Sequence, residues 1–318
     1  MTVFLLTIIT VYGGAHVYAF FRARSAFGFG TVPGVLLALF MALMVAAPFV
    51  IRALELHEYE RTARVFAYIA YLWMAALFLF FCSSLTIDLV NLGARAVRWI
   101  ARADLPLFPL PARTSFLISL GLALAICIYG YVEANNIRTQ PLRIETAKLP
   151  AGIDKLTIVQ MSDVHLGLII RCDRLEKMLE VVKAANPDIL VVTGDLVDAQ
   201  INHLTGLADL LRGVNPRYGK FAITGNHEYY AGLEKALNFT RNAGFTVLRN
   251  EAIKAGPIMI AGVDDRTALQ LKLARPVSER ELLAALPRDK FILFLKHQPR
   301  IDRSTIGLFD LQLSGHTH

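Results

Sequence analysis

Residues 155–167 read KLTIVQMSDVHLG. Lys155–Met161 has the length and β-branched content of a strand. Just past its end stand Asp163 and His165, two positions apart, a spacing that puts both side chains on one side of extended backbone. The same grammar recurs downstream. Asp188–Thr193 (DILVVT) is a continuous apolar run, as expected for a strand covered on both faces, and leads into Gly194 and Asp195. Gly219–Thr224 (GKFAIT) leads into Gly225, Asn226, His227 and Glu228. Phe291–Lys296 (FILFLK) leads into His297, and Leu311–Leu313 leads into Gly315, His316, Thr317 and His318.

Helical periodicity fills the intervals. Asp173–Ala185 carries Leu175, Met178, Leu179 and Val182 on one face and is broken by Asn186 and Pro187. Further helices are expected around Leu204–Leu211 and over Leu233–Ala243, and further strands at Phe245–Leu248 and Ile258–Ala261. Strands alternating with helices predict an α/β domain with a mainly parallel sheet. In such sheets ligands gather at the carboxyl ends of the strands. Five strand ends each deliver one or two metal-capable side chains, so groups more than 150 positions apart are expected to converge. Carboxylate, imidazole and amide oxygen together suit Mn²⁺, Fe or Zn²⁺ better than an all-oxygen Mg²⁺ or Ca²⁺ site. One carboxylate has two oxygens with which to bridge two ions, and paired ions about 3.5–4 Å apart can clamp a phosphoryl group.

The ordered set SDVHLG, TGDLVD, GNHE, KHQP and SGHTH resembles the five signature blocks of the calcineurin-like metallophosphoesterases. Within that superfamily the chain resembles the bacterial YkuE/YaeI-type phosphodiesterases, here preceded by membrane helices. The resemblance covers about residues 140–318. It implies a two-sheet sandwich flanked by helices and a dinuclear metal centre. By position it implies that Asp163, His165 and His318 hold one metal, that Asn226, His297 and His316 hold the other, and that Asp195 bridges both. It keeps His227 off the metals, as a contact to the phosphoryl oxygens and donor to the leaving group, with a metal-bridging hydroxide as nucleophile. Family members continue past GHTH with further strands, so a chain ending at His318 is expected to be cut there, its last strands missing. The alternative from a different class is a membrane sensor or scaffold whose phosphoesterase domain binds a phosphorylated ligand without turnover.

Other polar residues leave two readings each. Glu228 tunes the site from behind or lies solvated at a helix start. Asp198 holds the loop after Asp195 or lies exposed. Asp264 and Asp265 form a family-like loop or a plain turn. His203 reaches over the cleft or sits in a surface loop, and Cys172 is a helix-start residue without chemistry.

Residues 1–132 are different in kind. The chain has 318 residues, 55% hydrophobic and 19% charged, with a mean hydropathy of +0.47. The first 132 hold nine Arg, no Lys and five acidic residues, so the net charge of +7 divides as +4 there and +3 in the remainder. Four charge-free runs, Met1–Phe21, Ser25–Ile51, Val65–Ile87 and Thr114–Val132, are 21, 27, 23 and 19 residues long. Crossing a bilayer core takes about 20 apolar residues, so four transmembrane helices are expected. The domain plan is therefore a four-helix anchor over 1–132, a linker over 133–152 and a catalytic domain over 153–318. Met1–Phe21 lacks the basic start of a signal peptide.

Asn91–Ala103, with Arg95, Arg98 and Arg102 on one helical face, is either an amphipathic surface helix or an extension of the third span. Four spans leave both termini on one side. Flanking basic residues tie at six each, Arg22, Arg24, Arg95, Arg98, Arg102 and Arg113 against Arg52, Arg61, Arg64, Arg138, Arg143 and Lys148. The Arg-free N-terminus and Glu55, Glu58 and Glu60 tip the balance toward a catalytic domain outside the cytoplasm, in a bacterial cytoplasmic membrane. The expected partners are membrane lipid and a phosphate ester, lipid- or envelope-linked by proximity. Without basic–aromatic interleaving, nucleic acid is not an expected partner. The charge-free runs argue against a transporter, and Cys82, Cys127 and Cys172 form no framework.

Overall fold

Apolar runs become long helices in the first part of the chain: α1 (Thr2–Phe27), α2 (Thr31–Leu56), α3 (Glu60–Ala101) and α4 (Ala112–Asn135). The structure, a computed structural model, describes residues 2–102, 110–198, 204, 206–273 and 277–317. Among them, α2, α3 and α4 are long and apolar enough to cross a membrane. The chain divides into two compact units, Met1–Asn136 and Ile137–His318.

The buried positions of the first unit are mostly small. Ala19, Ala23, Gly34, Ala47, Ala63, Ala67, Ala70, Ser84, Ser115, Ser119 and Ala123 lie inside. Large side chains such as Val32, Leu36, Leu39, Phe78 and Ile128 point out. Small residues at helix contacts and apolar bulk outside are the arrangement for a lipid solvent. α3 runs 42 residues without a break. Of the two readings of Asn91–Ala103, the structure has the extension of the third helix, with Trp99 and Ile100 exposed on it. α2 reaches Leu56, so Glu55, counted above among the charges flanking the spans, is a buried helical residue. The helices also outrun their charge-free cores. Arg22 of α1 pairs with Asp88 of α3 at 3.1 Å, joined by Tyr18, whose hydroxyl donates to Asp88 at 2.6 Å.

Among the described residues, the second unit has eight strands in two sheets. The first sheet is fully parallel, in the order β1 (Ile158–Met161), β2 (Ile189–Val192), β3 (Lys220–Ala222) and β4 (Thr246–Val247). The second runs β5 (Glu251–Ala255), β6 (Ile258–Gly262), β7 (Ile292–Leu295) and β8 (Leu311–Leu313), with only the β5–β6 pair antiparallel. Helices α5 (Cys172–Ala184), α6 (Leu207–Arg212), α7 (Asn226–Tyr230), α8 (Leu233–Asn242), α9 (Thr267–Gln270) and α10 (Glu279–Ala284) complete it.

Alternation along the central strands builds the layers. Leu190 and Val192 of β2 pack with Leu175 and Leu179 of α5 and with Leu207 and Leu211 of α6. Ile189 and Val191 pack instead against Ile258, Ile260, Leu293 and Leu295 of the second sheet. On that sheet's far side, Ile292 and Phe294 meet Leu283 of α10. The order is helix, sheet, sheet, helix, and β2 and β7 read as unbroken apolar runs because both of their faces are buried. Lys220, buried in β3, donates to the carbonyls of Leu211 and Ala243 at 2.8 and 2.9 Å. That satisfies an ammonium in an apolar place.

The sequence reading missed β5, α7, α9 and α10. β5 is largely exposed and lacks an apolar pattern. α7 and α9 are five and four residues long, too short for periodicity to register.

Candidate metal centre

The carboxyl ends of β1, β2 and β3 lie side by side because the strands are parallel and in register. The loops leaving them, with those after β7 and β8, carry the candidate ligands. Several of these residues hold left-handed backbone: Asp163 (φ 53°), His165 (φ 51°), Asp195 (φ 51°) and His316 (φ 69°). Such conformations cost a non-glycine residue roughly 1–3 kcal/mol and persist only where surrounding contacts over-determine them. Here they do. Asp163 N–H donates to Gly194 O at 3.2 Å, and His165 N–H to Asp195 O at 3.0 Å. His316 N–H lies 3.0 and 3.1 Å from the two carboxylate oxygens of Asp163. Glycines permit the close approach: a Cβ on Gly225 would stand 2.2 Å from Asp195 Oδ1, and one on Gly315 would stand 2.4 Å from Asp163 Oδ2.

Asp195 is the centre. It is 1% exposed, with Oδ2 3.3 Å from His297 Nε2 and 3.9 Å from His165 Nε2. Its Oδ1 accepts the backbone N–H of His227 at 2.8 Å. His297 Nδ1 donates to the carbonyl of Thr193 at 2.8 Å, which turns Nε2 toward Asp195, Asn226 Oδ1 (3.2 Å) and His316 Nδ1 (3.2 Å). Donor atoms of Asp195, His297 and His316 all lie within 4.8 Å of one another, and so do those of His165, Asp195 and His227. His227 thus stands inside a ligand-competent group, although the sequence reading kept it off the metals. Its Nδ1 meets Asp198 Oδ1 at 3.0 Å. Asp163 falls outside both groups and holds the His316 loop. His203 and His318 lie outside the described residues.

Electrostatics follow from burial and neighbours. Burial pushes Asp195 up, but the hydrogen bond and charge of His297 and the N–H of His227 outweigh it and hold the carboxyl below its usual range. Burial pushes His297 down, and Asp195 overrides that to bring it up to about 9. His227 is raised mainly by its hydrogen bond to Asp198, against burial. An anionic carboxylate, an amide oxygen and imidazole nitrogens crowded within a few ångströms are a donor set that fits a divalent cation.

Glu228 does not lie solvated at a helix start. It is fully buried and accepts four backbone N–H groups, from Asp195 (3.0 Å), Leu196 (2.9 Å), Val197 (3.3 Å) and Gly225 (2.7 Å). Burial, then the charge of Asp195, push its carboxyl up, and the backbone donors push back. Asp264 is no plain turn residue either, since Arg249 grips it with two bonds of 2.9 and 2.8 Å. Asp265 accepts from Gln298, beside His297, at 2.9 Å. Only the adjacency of Glu228 to His227 hinted at a role; nothing in the local sequence marked Gln298.

The sequence model of the Calcineurin-like phosphoesterase family matches residues 156–318. The chain belongs to this family. Among its calcineurin-like relatives is an uncharacterized metallophosphoesterase of Aquifex aeolicus, 44% identical over 198 residues, 62% of this chain and 76% of the relative. The uncharacterized metallophosphoesterase YkuE of Bacillus subtilis is 34% identical over 60% of this chain and 68% of its own length. A zebrafish transmembrane protein with metallophosphoesterase domain is 30% identical over 63% of this chain, which spans about half (49%) of that relative. The family typically binds divalent metal ions, and the described residues of this chain include two His and Asp groups able to hold one.

Proposed function

We propose that the chain is a membrane-anchored phosphoesterase that uses two divalent ions to hydrolyse a phosphate ester, diester or monoester, borne by a lipid or envelope component. The observation that carries the reading is the convergence of His165, His227, His297 and His316 on the Asp195 carboxylate. Asp163 and His165, with His318, would hold one ion; Asn226, His297 and His316 would hold the other; Asp195 would offer an oxygen to each. The donor types suit manganese, iron or zinc. Two such ions supply Lewis-acid activation of water and neutralise charge on the phosphoryl oxygens.

The chain's own groups do the rest. Glu228 holds the Asp195 and Asn226 loops at fixed spacing. Asp198 occupies Nδ1 of His227 and favours the protonated form of that ring, which leaves Nε2 to give a proton to the departing alkoxide. Residues 1–132, with α1 as a fourth span, serve as anchor, 133–152 as linker and 153–318 as catalytic domain, outside the cytoplasm of a bacterial cell. The relative described as a transmembrane protein supports the membrane setting.

The test is hydrolysis of bis(p-nitrophenyl) phosphate by the purified full chain loaded with Mn²⁺. Asp195→Ala should lose both metal and activity, and His227→Ala activity with most of its metal retained. Wild-type turnover in both variants would sink the reading. Protease protection of the second unit in intact cells tests its side of the membrane.

A further inference from the structure

Outside the metal centre, the second unit carries a concentrated apolar surface. Leu269 on α9 and Leu271 and Leu273 just after it are 43%, 47% and 53% exposed. Lys272, between Leu271 and Leu273, and Arg266, three positions before Leu269, are exposed as well. The segment borders the site at two points. α9 packs against α7, whose Tyr230, 57% exposed, sets its ring 5.6 Å from His227. Asp265, two residues before α9, is bonded to Gln298, the neighbour of His297.

Single exposed leucines are ordinary on a protein surface. Three within five positions, separated only by Gln270 and Lys272, are not. Apolar side chains for the acyl boundary and cations for anionic head groups are the composition of an interfacial segment. A bilayer is also within reach, because the same chain carries helices able to cross one. Lys148 is pinned to Asp310 at 2.8 Å and Leu149 packs on the core of the second unit, so residues 137–147 are the free connection and extend to at most roughly 40 Å. The connection therefore keeps the second unit within that distance of the bilayer.

We propose that Leu269, Leu271 and Leu273 dock on the anionic surface of the bilayer that holds the chain, with Arg266 and Lys272 on head-group phosphates. The docking stands without the catalytic reading. Its consequence, that the site meets phosphate esters presented at the lipid surface, rests on that reading.

The test uses the full chain in nanodiscs of phosphatidylglycerol and phosphatidylcholine, with Cys82, Cys127 and Cys172 changed to Ser and Leu271→Cys carrying a nitrobenzoxadiazole label. Docking predicts at least twofold quenching by doxyl-labelled lipid and protection from aqueous iodide, both weakened in pure phosphatidylcholine. Free quenching by iodide and none by doxyl lipid would overturn it, whatever the activity. In a second arm, Leu269→Glu, Leu271→Glu and Leu273→Glu are combined. Hydrolysis of soluble bis(p-nitrophenyl) phosphate should stay within twofold of wild type. Hydrolysis of a dialkylglycerol p-nitrophenyl phosphodiester in the nanodisc should fall at least tenfold. Absence of soluble turnover in the unmodified chain would count against the catalytic reading alone.

Discussion

Asp195 gives its backbone N–H to Glu228 Oε2 at 3.0 Å, and the same oxygen takes the N–H of Gly225 at 2.7 Å. One buried carboxylate thus ties the loop after β2 to the loop after β3 and spaces the central Asp195 against Asn226. In Glu228→Gln an amide group would face backbone donors that need an acceptor. Metal affinity should fall about 10–100-fold, the usual effect of losing a partner that orients ligands. Competitive titration with a metal chelator measures it, and unchanged affinity would remove Glu228 from this role.

Asp198 governs the protonation of His227. Its hydrogen bond is the largest cause holding that imidazole above its ordinary pKa. If protonated His227 is the proton donor, activity declines on the alkaline side as that proton is lost. Asp198→Asn should therefore shift the alkaline limb of the kcat/KM profile to lower pH. A limb that does not move would argue that His227 gives no proton in the rate-limiting step.

The pairing of Asp195 with His297 sets a pH dependence in chelator-treated protein. His297 rises from 6.5 to about 9 in the fold. A raised folded value means stabilisation that is complete below the unfolded pKa and lost as pH climbs through the folded one. The Tm of the metal-free second unit should therefore drop between pH 6.5 and 9, and His297→Ala should flatten that drop. Metal affinity should climb over the same window, because the Nε2 proton must leave before a cation binds. A Tm that rises across this interval would contradict the pairing.

Gly225 lies against the Asp195 loop with no room for a side chain. A Cβ there would sit 2.2 Å from Asp195 Oδ1 and 2.6 Å from Asp195 N, so the backbone itself must move. Gly225→Ala should cost at least about tenfold in kcat/KM, on the scale of ångström misplacements in catalytic sites, while far-ultraviolet circular dichroism keeps its helical signal. Full activity would mean that the two loops adjust freely.

Parts of the fold were legible for a physical reason that varies along the chain. DILVVT and FILFLK announce β2 and β7 because each strand is buried on both faces, which leaves no polar positions to interrupt the run. Glu251–Ala255 hides β5 because its residues are mostly solvent-facing and its pairing to β6 comes from a tight turn, not from an apolar pattern. The long extension of α3 was one of two open readings, since amphipathic spacing describes a free surface helix and a continued span equally well.

What the sequence alone determined was the chemical inventory: apolar runs of bilayer length, then carboxylates, an amide and imidazoles in fixed order at strand ends. Side-chain types and their spacing are local properties, so they can be read one segment at a time. Only the tertiary structure decided that Glu228 is buried under four backbone donors, that His227 stands beside His165 and Asp195, and that Gln298 reaches Asp265. Each depends on loops some 30 or more positions apart meeting where parallel strands end, and no local pattern records which distant backbone will remove a side chain from water.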